Sequence, residues 1–181
     1  LKAPSKQWQF DLLYQVHYGH HDFPTNKELF FVPVWFAIPM LCFNFFALWF
    51  ALSFITLFAL PIAAAVILIG GVGTFLVYEW FHMTAHLSVP KVWVERHVTT
   101  LHNQHHFRDF SKWFHVSPGG QIIDRAMGTA INRDALKSQQ RIEFIRTMGL
   151  RPDDPRLVSS RLRFAGKYGL TEAEIERAAV V

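Results

Sequence analysis

The sequence predicts an all-α integral membrane protein, with a helical hairpin in the bilayer, a cytosolic histidine-rich helical cap and a soluble helical C-terminal tail. Three observations lead to this prediction: a long apolar run without charge, clusters of histidine on both sides of it, and a basic C-terminal third. Hydrophobic residues make up 51% of the 181 residues, which is a high share for a soluble domain of this length. We expect a membrane domain at 1–131 and a cytosolic tail at 132–181.

The apolar run extends from Leu29 to Tyr78 and contains no Asp, Glu, Lys, Arg or His. A membrane-spanning helix needs about 20 apolar residues, so this run is long enough for two crossings. We place the crossings at about 31–57 and 61–81, with a short uncharged connection between them. Two crossings return the chain to the membrane face that it left.

The basic residues are unevenly distributed, since three of the 18 Lys and Arg residues precede the apolar run and fifteen follow it. This excess predicts that both termini lie on the cytoplasmic face. Nucleic-acid binding by the basic tail is the alternative, but no recognition motif accompanies it, so we expect no nucleic-acid partner. The single cysteine, Cys42, excludes an internal disulfide and implies no oxidising compartment.

Eight of the ten histidines fall into three boxes, at residues 17–21, 82–86 and 102–106. The first and third boxes have the pattern H-x-x-H-H and the second has H-x-x-x-H, and residues four apart share one face of a helix. Imidazole is the commonest protein metal ligand and suits iron, zinc, copper and nickel. Because one metal takes about four to six donors, eight imidazoles predict two metals or one crowded site. The candidate ligands are His17, His20, His21, His82, His86, His102, His105 and His106.

Four further side chains are candidates to contact the ligand histidines from outside: Glu79, His97, His115 and Asp124. Glu79 lies three residues before the second box, and it is open whether it is a ligand, an acceptor for a ring N–H or an interfacial charge. His97 and His115 are alternatively surface or loop histidines. The aromatic and basic segment 107–114 is typical of a segment in the membrane interface.

The segments around the boxes contain turn and cap signals. Gly19 and Pro24 predict that the first helix ends within the first box and is followed by a turn. In the tail we expect a helix at Arg133–Met148, a second starting at Asp154-Pro155, and a third opened by a capping box at 171–174. The tail is predicted to be an appendage without chemistry.

The donor set favours redox chemistry over the other uses of a metal. A structural zinc site needs four ligands and often uses cysteine, and a transporter places its ligands near the bilayer midplane, where this run offers none. Two redox metals beside buried lipid are suited to O₂ activation and attack on an unactivated C–H bond.

The segments HYGHHDFPTN, YEWFHMTAH and LHNQHHFRDF, in this order around an apolar hairpin, resemble the fatty acid hydroxylase superfamily. The resemblance covers about residues 15–130 and is closest to the fatty acid 2-hydroxylase branch. It implies a membrane domain with a cytosolic cap and a centre of two iron ions, with zinc as an alternative occupant, held by the eight histidines. It also implies O₂ as cosubstrate, a lipid substrate and a separate electron donor, such as a cytochrome b5-like protein or a ferredoxin.

Several alternatives stay open beside O₂-dependent lipid hydroxylation. Sterol desaturases, methyl oxidases and carotenoid hydroxylases belong to the same superfamily, and membrane desaturases also use histidine boxes. The superfamily carries a further histidine pair before the first box, whereas residues 1–16 contain none and the chain opens at Leu1 without a methionine. We therefore expect either a truncated front or a site with fewer ligands, and a non-catalytic metal-binding membrane protein is the alternative from another class.

Overall fold

The computed structural model describes residues 4–110, 112–131 and 149–180, and these residues form helices and connecting turns with no β-strand among them. The all-α prediction is confirmed for this part of the chain. The helix expected at Arg133–Met148 lies outside the described residues. The helices are α1 (Gln7–Leu13), α2 (Gly19–Asp22), α3 (Val34–Ser53), α4 (Ala59–Ala65), α5 (Gly73–His86), α6 (Trp93–Phe107), α7 (Gly120–Ala126), α8 (Pro155–Tyr168) and α9 (Glu172–Ala179).

Two helical stretches, Lys27–Ser53 and Ala59–His86, are long and apolar enough to cross a membrane. The second stretch consists of α4 and α5, which are joined by a π-helical segment at Val66–Val72. These stretches differ from the predicted bounds of the crossings. The first begins and ends four residues earlier than predicted, and the second continues to the last histidine of the second box. Pro61 occupies the first turn of α4, where a missing backbone N–H breaks no helical hydrogen bond.

The hairpin turns its apolar surface outward. Helix α3 contains no buried residue, and large side chains such as Phe43 and Phe50 are 68% and 66% exposed. A helix that is apolar on all sides is either buried in protein or surrounded by lipid. Helix α3 is therefore long and apolar enough to cross a membrane, and it exposes its apolar side chains.

The first histidine box lies in one continuous helical arm, because a π-helical segment at Tyr14–Tyr18 joins α1 to α2. The helix end predicted at Gly19 is wrong, and the arm continues to Asp22. Gly19 is needed for close packing instead, since a Cβ atom there would lie 2.8 Å from the Tyr14 carbonyl oxygen and 3.2 Å from Leu29 Cδ2.

The described part of the C-terminal tail packs against this arm. One buried cluster joins residues of the arm, the turn after it and the tail: Phe10, Tyr14, Leu29, Leu157, Tyr168 and Leu170. Helix α8 starts at the predicted place, with Asp154 accepting from the backbone N–H of Arg156. The predicted capping box of Thr171 and Glu174 opens α9. The tail is thus packed on the segment that carries the first box.

Candidate metal centre

The structure brings the eight histidines of the three boxes together at one end of the apolar hairpin. The first box lies on the arm formed by α1 and α2, the second ends α5, and the third lies on α6. Six of the eight side chains are 1–3% exposed, and His17 and His86 are partly exposed. Such a buried cluster of imidazoles is unusual, because buried polar groups normally have hydrogen-bond partners of their own.

The cluster divides into two groups of ring nitrogens, and each group can hold a metal ion. Within each group, the ligand atoms all lie within 4.8 Å of one another. We call them the five-histidine group and the three-histidine group. The five-histidine group consists of His20, His82, His86, His102 and His106, and the three-histidine group consists of His17, His21 and His105.

Each H-x-x-H-H box contributes to both groups. In the first box, the i, i+4 pair His17 and His21 enters the three-histidine group, while the middle histidine His20 enters the five-histidine group. In the third box, the i, i+4 pair His102 and His106 enters the five-histidine group, while the middle histidine His105 enters the three-histidine group. The two groups are adjacent, since the rings of His21 and His106 stack with centroids 4.2 Å apart.

The nitrogen spacing in the five-histidine group fits metal coordination better than hydrogen bonding. His20 Nε2 lies 2.9 Å from the Nε2 atoms of both His82 and His86, and His86 Nε2 lies 2.7 Å from that of His102. A ring nitrogen holds either one hydrogen or one lone pair, so His20 Nε2 forms only one of its two close contacts as a hydrogen bond. Two imidazoles bound to one metal at about 2.1 Å place their nitrogens about 3 Å apart.

The three-histidine group has the same property. His21 Nε2 lies 2.9 Å from His17 Nε2 and 3.0 Å from His105 Nε2. Only one of these contacts can be a hydrogen bond, whereas a shared metal ion satisfies all three lone pairs. Three imidazoles also leave coordination positions open, which is typical of catalytic rather than structural metal sites.

Backbone carbonyls orient one ligand in each group. His82 Nδ1 donates to the Phe30 carbonyl at 2.8 Å, and His105 Nδ1 donates to the Lys112 carbonyl at 2.7 Å. A hydrogen bond from Nδ1 fixes the tautomer that leaves Nε2 with its lone pair. Both Nε2 atoms point into their groups, so the donor set fits a metal.

Glu79 is buried one turn before the second box, and it contacts the backbone rather than a ring nitrogen. Its Oε1 accepts from the Val32 N–H at 2.9 Å. Val32 follows the Phe30 carbonyl that orients His82, so Glu79 fixes the segment behind that ligand. The hydrogen bond to the backbone supports a bracing role and not direct ligation.

Asp124 braces the loop that orients His105. Its carboxylate accepts from the backbone N–H groups of Phe114 and His115 at 3.1 and 3.2 Å, and from the Thr129 hydroxyl at 2.7 Å. His115 Nδ1 lies 3.2 Å from the same carboxylate. Burial opposes ionisation, but these donors together hold the pKa of Asp124 below its usual value. Asp124 and His115 therefore act on the loop, one step removed from the histidines.

One expectation about the surroundings of the site needs correction. His97 is exposed and stacks on Trp93, so the structure does not bring it to the cluster. In the aromatic and basic segment, Trp113 is 7% exposed and the Phe114 ring lies 5.4 Å from that of His105. The place of this segment in the membrane interface stays a prediction. Trp113 has a φ of 52°, a conformation that is strained for a bulky residue and is often found at functional sites.

The histidines outside the membrane-crossing helices are held in the neutral form that a metal requires. Burial, together with the neighbouring His105 and His82, lowers the pKa of His17 to about 3. Burial lowers the pKa of His105 to about 4, although the Lys112 carbonyl opposes the shift. Burial and the surrounding rings lower the pKa well below its usual value for the rest of this set: His20, His21, His102 and His106.

Sequence reasoning missed the residues that position the boxes. The carbonyls of Phe30 and Lys112 belong to backbone that has no sequence pattern of its own. Asp22 was also missed, although it follows the first box directly, and it pairs with the buried Arg161 of the tail. A buried arginine 139 residues away along the chain cannot be matched to its carboxylate from spacing alone.

Comparisons of the chain with protein-family models, curated proteins and solved structures found no match. The assignment of the site therefore rests on its own geometry.

Proposed function

We propose that this chain is an oxidoreductase that hydroxylates lipid chains with O₂ at a histidine-ligated dinuclear metal centre. The observation that supports this most directly is the division of the eight histidines into two adjacent groups at the end of an apolar hairpin. A single crowded site explains eight ligands less well, because the ring nitrogens of the two groups do not all lie within one coordination sphere.

The two groups have different roles in this proposal. The five-histidine group has enough imidazoles to fill most positions of one ion, whereas the three-histidine group leaves positions for an exogenous ligand. Imidazole ligands suit iron, and zinc is an alternative occupant of the purified protein. When bound, a pair of iron ions supplies the redox chemistry that reduces O₂.

The surroundings of the site suit a lipid substrate. The two long apolar helical stretches expose side chains such as Ile38 and Leu76, which are 54% and 60% exposed. A chain held against these helices in the bilayer reaches the histidines without crossing water. Burial of the histidines excludes water from the reacting C–H bond, which limits side reactions.

The proposal places the termini and the metal centre on the cytoplasmic face, because the basic residues are concentrated after the hairpin. One oxygen atom enters the lipid and the other leaves as water, so the reaction needs external electrons. A separate donor, such as a cytochrome b5-like protein or a ferredoxin, supplies them in this proposal.

The test combines metal content with product analysis on protein purified in mild detergent after expression with iron. We expect about two irons per chain, and incubation with membrane lipids, a reductant and ¹⁸O₂ should give lipids that carry one labelled hydroxyl group. Replacing His105 with Ala should abolish the product, because this side chain belongs to the three-histidine group. The matched control is His97→Ala, which removes an exposed histidine of the same helix.

Other outcomes separate the alternatives. An unsaturated product without labelled oxygen would assign desaturation, and a labelled sterol or carotenoid would move the substrate within the superfamily. Bound metal with no labelled or unsaturated product in any lipid class would support a non-catalytic metal-binding membrane protein. Unchanged product in the His105→Ala variant would contradict the ligand assignment.

A further inference from the structure

We propose that Arg161, in helix α8 of the C-terminal tail, is a positioning residue that holds the first histidine box in place for the three-histidine group. This inference rests on the proposed metal centre and adds a role for a tail that the sequence marks as an appendage without chemistry. The role follows from what Arg161 contacts, and from how the first box is divided between the two groups.

Arg161 is completely buried and pairs with Asp22 through two parallel hydrogen bonds. Its Nε donates to Asp22 Oδ2 at 2.7 Å, and its Nη2 donates to Oδ1 at 2.8 Å. A third bond, from Nη1 to the Pro152 carbonyl at 2.6 Å, fixes the guanidinium within the tail. Such a bidentate pair sets the orientation of the carboxylate as well as its position.

Asp22 directly follows His21 and is the last residue of α2. The Tyr14 hydroxyl also donates to Asp22 Oδ2, at 3.1 Å, and the Tyr14 ring stacks on Phe164 of α8. Arg161 and Tyr14 thus fix the C-terminal end of the helical arm from two sides. Any rotation of this end changes the direction of the His21 ring.

The tail also holds the arm on the N-terminal side of the box. The Ser160 hydroxyl donates to Asp11 Oδ1 at 2.7 Å, and Lys167 Nζ donates to Gln15 Oε1 at 2.6 Å. After the box, Asn26 Nδ2 donates to the Tyr168 carbonyl at 2.8 Å. Helix α8 and its end therefore contact the chain on both sides of the first box.

The two histidine groups depend on the first box to different extents. This box supplies two of the three ligands of the three-histidine group, but only His20 among the five of the other group. Loosening the arm therefore removes most of one site and leaves four ligands of the other in place. A positioning role for Arg161 predicts a selective loss of one metal.

The experiment titrates cobalt(II) chloride into the full-length, chelator-treated protein in mild detergent and follows visible absorption. Two variants probe the pair of Arg161 and Asp22. Arg161→Lys keeps the charge but cannot form the two parallel bonds, and the double variant Asp22→Asn/Arg161→Met leaves no unpaired buried charge. The matched control is Arg151→Gln, which removes an exposed arginine that pairs with Asp153 inside the tail and not with the arm.

We expect two cobalt-binding steps in the unaltered protein and in the control. In both variants of the Arg161–Asp22 pair, the cobalt affinity of one step should stay within about twofold of that of the unaltered protein. The affinity of the other step should fall by about 10- to 100-fold, as is usual when a residue behind a metal ligand is lost. The loss should be smaller in Arg161→Lys than in the double variant.

Two results would overturn the inference while leaving the metal centre intact: both steps unchanged in the double variant, or both steps weakened alike. The second result would make Arg161 a residue of general stability. Absence of both steps in the unaltered protein would instead overturn the metal centre itself, so the two failures are distinguishable.

Discussion

His82 Nδ1 donates to the Phe30 carbonyl across 2.8 Å, so the chain that enters the first apolar helix orients a histidine at the end of the second. This contact ties the two ends of the hairpin to the metal centre. The orientation of His82, a member of the five-histidine group, therefore also depends on the backbone segment that Glu79 fixes through the Val32 N–H.

Substitution of Glu79 therefore tests whether this carboxylate is a brace or a ligand. Glu79→Gln keeps an oxygen acceptor for the Val32 N–H and should retain the metal of the five-histidine group. Glu79→Ala leaves that N–H without its acceptor, which costs about 1–3 kcal/mol of folding stability. It should lower the metal affinity of the five-histidine group about tenfold. Competition with a chelator measures both affinities, and loss of the metal in Glu79→Gln would favour direct ligation.

The sequence predicts the members of the histidine cluster better than their arrangement. The boxes identify all eight histidines that the structure brings together, because residues three and four apart share one face of a helix. The exchange of His20 and His105 between the groups is not predictable from spacing, since it depends on how the arm and α6 face each other. The same limit applies to Arg161 and Asp22, whose pairing is created only by the packing of the tail.

The bounds of the hairpin show a second limit of sequence reasoning. The second crossing is predicted to end at about residue 81, but in the structure the Glu79 carboxylate accepts from the backbone N–H of Val32 and the helix continues to His86. Burial of a charged residue by tertiary contacts is invisible to hydropathy.

A second prediction concerns Asp124, which holds the loop whose Lys112 carbonyl orients His105. Asp124→Ala removes the acceptor for the backbone N–H groups of Phe114 and His115. It should lower the metal affinity of the three-histidine group about tenfold. The five-histidine group should be unaffected. Metal content after dialysis against a weak chelator measures the difference.

The control for this variant is Asp153→Ala, because Asp153 is an exposed carboxylate that pairs with Arg151 in the tail. It should retain both metals. Equal retention in Asp124→Ala and Asp153→Ala would show that the loop does not orient His105.

A third prediction concerns the pH dependence of the metal-free protein. Six cluster histidines have a folded pKa below the usual 6.5, so below pH 6.5 the unfolded chain binds more protons than the folded one. The stability that this set contributes is fully present above pH 6.5 and is lost as the pH falls through the folded pKa values, which are about 4 for His105 and about 3 for His17. Each histidine contributes up to about 1.4 kcal/mol per pH unit in that window.

Thermal unfolding of chelator-treated protein in detergent at pH 8, 6.5 and 5 measures this dependence. The midpoint should change little between pH 8 and 6.5 and fall clearly by pH 5, and bound metal should oppose the fall. A midpoint that rises on acidification would contradict burial of neutral imidazoles.

The last prediction concerns Gly19, which lies between His17 and His20 in the helical arm. A Cβ atom there would lie 2.8 Å from the Tyr14 carbonyl oxygen, which belongs to the backbone and cannot move without shifting the arm. Gly19→Ala should therefore destabilise the protein by about 1–3 kcal/mol, as other overpacking substitutions do, and should lower metal retention.

The matched control is Gly166→Ala in α8, where nothing lies within 4 Å of the added atom. Because alanine is the better helix former, this control should stabilise the protein by up to about 1 kcal/mol. Unfolding midpoints of the two variants measure the contrast, and a neutral Gly19→Ala would mean that the arm tolerates the shift and that its close packing does not fix the first box.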